Sequence, residues 1–209
     1  MSEALPRILL VTDADLSVGS RGAGRTLANL FSRYPAGGLR AISSCAHAPH
    51  IMEGGHRVLA GAPGLPGRLV GSLRGVIGDL DALWARWKPL AERAAVATFA
   101  PQLVLAAPTH PVGVALAERC RSMAPLVTYL LDDWVAHPSS AQIAFDTVGR
   151  GRSLLRESKG WLAISPYLLE SMRAATGVER PAHVVHNPVP LGPAEPAALA
   201  AARTGRFRV

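Results

Sequence analysis

The stretch RILLVTDADLSVGSRGAGRTLANLFSRY (7–34) decides how this chain folds. Its opening, RILLVT (7–12), is a short β-rich apolar run without polar alternation, the pattern of a strand buried on both faces of a sheet. A Gly/Ser loop, DADLSVGSRGAG (13–24), follows. RTLANLFSRY (25–34) then places Leu27, Leu30 and Phe31 at helical spacing. A buried strand that runs through a glycine loop into an amphipathic helix is the first unit of a parallel α/β sheet.

The same alternation continues. LRAISS (39–44) predicts a second strand, and HRVLAG (56–61) a short one inside the Gly-, Pro- and His-rich stretch from Cys45 to Arg74. A long helix is expected over 76–99, where Val76, Leu80, Leu83, Trp84, Trp87 and Leu90 keep an apolar stripe that Pro89 kinks or divides. The Trp84/Trp87 face reads as core packing, with an amphipathic membrane-facing surface as the sharper alternative. Strands follow at QLVLAAP (102–108), LVTYLL (126–131), GWLAIS (160–165) and AHVVHN (182–187). Helices between them are expected over PVGVALAERCRSM (111–123), roughly 140–157, and PYLLESMRAATG (166–177), the last with proline at its start and Gly177 at its stop. Short apolar strands with helical returns make a Rossmann-like parallel sheet with helices on both faces.

Composition narrows the function classes. The chain has 209 residues, 49% hydrophobic and 18% charged, a globular balance with enough length for a real core. Its apolar runs are too short to span a bilayer, and MSEALPR lacks the features of a signal peptide. Cys45 and Cys120 have no CxxC partner, so neither a disulfide framework nor a metal site is expected, and the cytosol is the expected compartment. A net charge of +7 invites an anionic partner, although a solvated arginine-rich surface explains it equally simply. Nucleic acid is not expected, because no helix-turn-helix, RRM or zinc pattern accompanies the charge.

In an open parallel sheet, ligands bind outside the carboxyl ends of the strands. The first loop there, GSRGAGR (19–25), is neither a Walker sequence nor a good GxGxxG. Gly22, Gly24 and Arg25 fit an anion cradle or a flexible turn. LLDDW (130–134) closes a buried strand with Asp132 and Asp133, the candidate catalytic carboxylates. Asp133 fits a cap equally, and Trp134 either offers a sugar-stacking face or fills the core. Thr109 and His110 follow another strand, and Ser165 reads as a helix N-cap. Adjacent Asp residues in a strand point to opposite faces, which argues against a metal site.

The succession GAGRT (22–26), LLDDW, WLAISPYLLESMRAATG (161–177) and HVVHNPVP (183–190) resembles the amino-terminal domain of GT-B glycosyltransferases, in particular the large retaining group called family four. The resemblance implies acceptor binding and donor-phosphate contacts through Gly22, Gly24, Arg25, His110, Trp134, Ser165 and Asn187. It implies a nucleotide-sugar co-substrate rather than a cofactor, and a sugar or lipid-linked acceptor, with peripheral contact at the inner membrane face as a further expectation. The sequence departs from the family pattern twice: Leu131 stands where a histidine is common, and Pro188 replaces the glycine of the NGVD-like turn. On this reading residues 1–187 are the amino-terminal domain and 188–205 an interdomain linker. Residues 206–209 then begin a carboxy-terminal donor-binding domain that acts in cis or in trans, and the 209-residue chain alone is expected to be inactive. The alternative is a non-catalytic Rossmann-like module for an anionic nucleotide or a membrane surface.

Overall fold

A computed structural model describes residues 5–46, 49–60, 93–137 and 147–187. Among these residues eight strands form one sheet in the order β3-β4-β2-β1-β5-β6-β7-β8. They are β1 (Ile8–Thr12), β2 (Leu39–Ser43), β3 (His50–Ile51), β4 (Arg57–Ala60), β5 (Leu103–Ala107), β6 (Leu126–Leu130), β7 (Gly160–Ala163) and β8 (Ala182–Val184). Every pairing is parallel except β3 with β4. The helices are α1 (Gly22–Phe31), α2 (Arg93–Phe99), α3 (Pro111–Cys120), α4 (Thr147–Glu157) and α5 (Pro166–Thr176).

The sheet is built outward from β1. All five of its residues are buried, and it pairs with β2 on one edge and β5 on the other. Successive side chains in a strand point to opposite faces. Ile8 and Leu10 accordingly pack with Leu27 and Phe31 of α1, whereas Leu9 and Val11 pack with Leu116 and Ala117 of α3. A continuous apolar run is thus what a strand covered on both sides requires, since every position faces a helix. A third apolar cluster joins Leu130, Trp134, Trp161, Leu168 and Met172 beneath α5.

The chain winds from β1 out through β2 to β4, then returns past β1 to β5 and on to β8. The strand order therefore reverses between β1 and β5. In such sheets that reversal opens a crevice at the carboxyl ends of the strands, because the loops there leave toward opposite faces.

Most expected elements are present, with shifted ends. The first helix runs from Gly22 to Phe31 rather than from Arg25 to Tyr34, because its first turn accommodates both glycines and the chain turns back at Tyr34, whose amide donates to the Phe31 carbonyl. The two-residue β3, not expected from sequence, closes a hairpin on β4 around Gly54 and Gly55. Of the long helix expected over 76–99, only Arg93–Phe99 falls within the described residues and is helical. Trp84, Trp87, Pro89, the linker at 188–205 and residues 206–209 lie outside them.

Packing is close where Trp134 meets α4. A Cβ placed on Gly151 would lie 2.2 Å from the indole, so Gly151→Ala overpacks a rigid buried ring. It is expected to destabilise the fold by about 1–3 kcal/mol in denaturant titration. An unchanged midpoint would contradict this packing.

Candidate functional site

Side chains at the carboxyl edge of the sheet tie three strand ends together. The Thr12 hydroxyl donates to the Ala107 carbonyl at 2.8 Å and accepts from the Ala14 amide at 3.0 Å. Ser43 Oγ donates to the Ala14 carbonyl at 2.6 Å. Asp13, which follows β1 directly, accepts from the Thr109 amide at 2.8 Å through Oδ1 and from the Thr109 hydroxyl at 3.0 Å through Oδ2. These bonds fix the loops after β1, β2 and β5 relative to one another.

Above them lies a crevice of about 340 Å³. One wall is the first turn of α1, with Gly22, Ala23 and Thr26; Thr109 stands at the end of β5; Leu131 and Asp132 follow β6; Asn187 closes the β8 side. The α1 wall is electropositive. Its N-cap residue, Arg21, makes no side-chain capping bond, and no acidic residue occupies the first turn, which leaves amide donors and the positive end of the helix dipole at the crevice. Gly22 has φ = 57°, a backbone state that costs side-chain-bearing residues more than glycine.

Asn187 is held by its neighbours. The Val185 amide donates to the Ala163 carbonyl at 2.8 Å, Tyr129 Oη donates to the Val185 carbonyl at 3.1 Å, and His186 Nδ1 bonds the Ile164 carbonyl at 3.1 Å. Asp132 is exposed, and its Oδ1 accepts from the Asp133 amide at 2.8 Å.

The structure brings Gly22, Asp132 and Asn187 together and sets the other expected residues elsewhere. Gly24 is buried; a Cβ there would lie 1.8 Å from the Asp15 carbonyl oxygen, so its glycine serves loop-on-helix packing. Arg25 faces the β3–β4 hairpin and pairs with Glu53 at 2.5 Å, a half-exposed pair of small worth. Asp133 turns toward α5: Oδ2 accepts from Ser171 Oγ at 2.6 Å and Oδ1 from the Ala136 amide at 3.3 Å. Trp134 is only 2% exposed, so it presents no stacking face to a ligand. Ser165 Oγ accepts from the Leu168 amide at 3.1 Å and caps α5. His110 is exposed at the start of α3, outside the crevice lining, and makes no side-chain cap there.

Asp13 was missed in the sequence. The pattern that singled out Asp132, a carboxylate just after an apolar strand, also marks Asp13 in VTDAD (11–15), but there it merges into a polar loop. Burial pushes the Asp13 carboxyl above its ordinary range, opposed by the Thr109 hydrogen bonds and the positive field of His110. A carboxyl whose folded-state pKa is raised stabilises the fold at low pH, and that contribution is lost as pH rises through the folded value. Ionised Asp13 therefore costs stability.

No protein-family model matches the sequence, and no curated protein matches it either. Solved structures do. Sucrose-phosphate synthase from Thermosynechococcus elongatus superposes with a TM-score of 0.59 at 9% identity, over 86% of this chain and 48% of that one. The Anabaena HepE structure in complex with UDP and glucose superposes with a TM-score of 0.53 at 16% identity, over 96% of this chain and 50% of that one. The chain thus spans about half the length of each. At these identities the likeness is one of fold: a GT-B-like, Rossmann-like half domain.

Three substitutions separate scaffold from crevice. Trp134→Ala is expected to cost about 3–5 kcal/mol and Ser165→Ala about 1 kcal/mol. Asp132→Asn, at an exposed position, should stay within about 0.5 kcal/mol of wild type. Chemical denaturation measures all three, and a large loss for Asp132→Asn would make Asp132 a structural residue.

Proposed function

We propose that this chain is the acceptor-side half of a GT-B glycosyltransferase, and that its crevice receives the sugar end of a nucleotide-sugar donor together with the acceptor hydroxyl. The observation that carries this reading is the polarity of the crevice. An uncapped helix start on one wall suits a phosphate, and Asp132 and Asn187 on the other suit sugar hydroxyls. The strand-order reversal puts that crevice where open α/β sheets bind ligands. The fold matches support the class, and the UDP and glucose named with the HepE structure suggest the first probe.

In the proposed mechanism Asp132 accepts a hydrogen bond from the attacking acceptor hydroxyl or from the transferred sugar, and Asn187 orients the same ring. The α1 amides stabilise charge on the departing phosphate, a preorganised electrostatic contribution. A carboxy-terminal domain would supply the rest of the donor site and exclude water. The membrane contact, the lipid-linked acceptor and the cytoplasmic setting are part of the same proposal.

The test is amide chemical-shift mapping with millimolar UDP and UDP-glucose. Perturbations should centre on Gly22, Ala23, Thr26, Asp132 and Asn187, and the 209-residue chain alone should release no UDP from UDP-glucose. Shifts confined to another surface, or sugar transfer by the isolated chain, would overturn the respective part.

A further inference from the structure

Among the described residues that line the crevice, Thr109 has its hydroxyl bonded to a buried carboxyl, that of Asp13. In its ionised form Asp13 accepts with both oxygens, one from the Thr109 amide at 2.8 Å and the other from its hydroxyl at 3.0 Å. A hydroxyl has a single hydrogen to give. While Asp13 is ionised, whatever Thr109 Oγ1 does toward the crevice it lines, it does as an acceptor.

The surroundings leave little freedom in that arrangement. Asp13 is 5% exposed, and α3 closes over it so tightly that a Cβ on Gly113 would lie 2.4 Å from Oδ1. The Asp13 carbonyl also accepts from Cys45 Sγ at 2.7 Å, which pins the residue from the β2 side.

We propose that Asp13 is a positioning residue that sets the specificity of the crevice: by taking the Thr109 proton it makes Oγ1 an acceptor-only group, which selects a ligand hydroxyl at that wall and rejects an anionic oxygen. This rests on the sugar-nucleotide reading and deepens it. The hexose of the donor, not its phosphate, lies against Thr109, between the Asp13 charge behind and Asp132 beside it. The phosphate is left to the α1 wall.

Asp13→Asn discriminates, because its amide nitrogen would donate to Thr109 Oγ1 and free the hydroxyl proton to point into the crevice. The experiment measures UDP and UDP-glucose affinity by shift titration on the full chain and its variants. Asp13→Asn and Thr109→Val should each weaken UDP-glucose about tenfold, the net worth of one hydrogen bond. Both should leave UDP unchanged, and Thr109→Ser should bind as wild type does. Asp13→Asn should also melt no lower than wild type and gain on it as pH rises through the Asp13 pKa. In the ligand-free wild type, the Thr109 amide resonance should follow the Asp13 titration, and in Asp13→Asn it should not.

Equal loss of UDP and UDP-glucose in Asp13→Asn, or unchanged UDP-glucose affinity, would overturn the selection. A Thr109 amide that ignores pH in wild type would overturn the lock itself. Wild-type protein that binds neither probe would overturn the sugar-nucleotide reading and the selection built on it, and the Thr109 titration would then judge the lock separately.

Discussion

Everything in this fold depends on β1 being sandwiched four ways. It has a strand on each edge and a helix on each face, so it admits only apolar residues until it emerges at Thr12 and Asp13. Those two residues meet the β5 end through hydrogen bonds to Ala107 and Thr109. The crevice is thus an extension of the most constrained strand in the molecule. Its walls are held by side chains that are themselves anchored to strand ends, the arrangement a precise binding site needs.

Several charged side chains among the described residues divide along the same axis. At the strand-start edge, arginines bond backbone carbonyls: Arg7 donates to the Phe99 and Ala100 carbonyls at the end of α2, Arg40 to Ala95, and Arg156 to Thr176 at the end of α5. Of these, Arg7 and Arg156 satisfy carbonyls at helix ends and complement the negative end of the helix dipole. At the opposite edge lie Asp13, Asp15, Asp132 and Asp133. These three arginines are thus employed within the fold, and the α1 wall of the crevice draws positive character from backbone amides.

The sheet was legible because each strand carries its own signal, a short apolar run closed by a polar residue, and each return carries helical periodicity. Loops were less legible, since a glycine looks the same in sequence whether it meets a ligand or another backbone. Gly22 lines the crevice, whereas Gly24 makes room for Asp15. The adjacent carboxylates Asp132 and Asp133 diverge for the reason that neighbours in extended chain diverge: one points to solvent at the crevice, the other into contact with α5. Asp13 and Thr109 are separated by 96 residues, and no local pattern could pair them. Only the parallel register of β1 with β5 does so.

A crystal structure of the chain with UDP-glucose tests the central claim most directly. The account predicts phosphate density over the amino end of α1 at Gly22 and Ala23, with the hexose between Thr109, Asp132 and Asn187. A nucleotide seated on another face, or a hexose over α1 with its phosphate at Thr109, would contradict it.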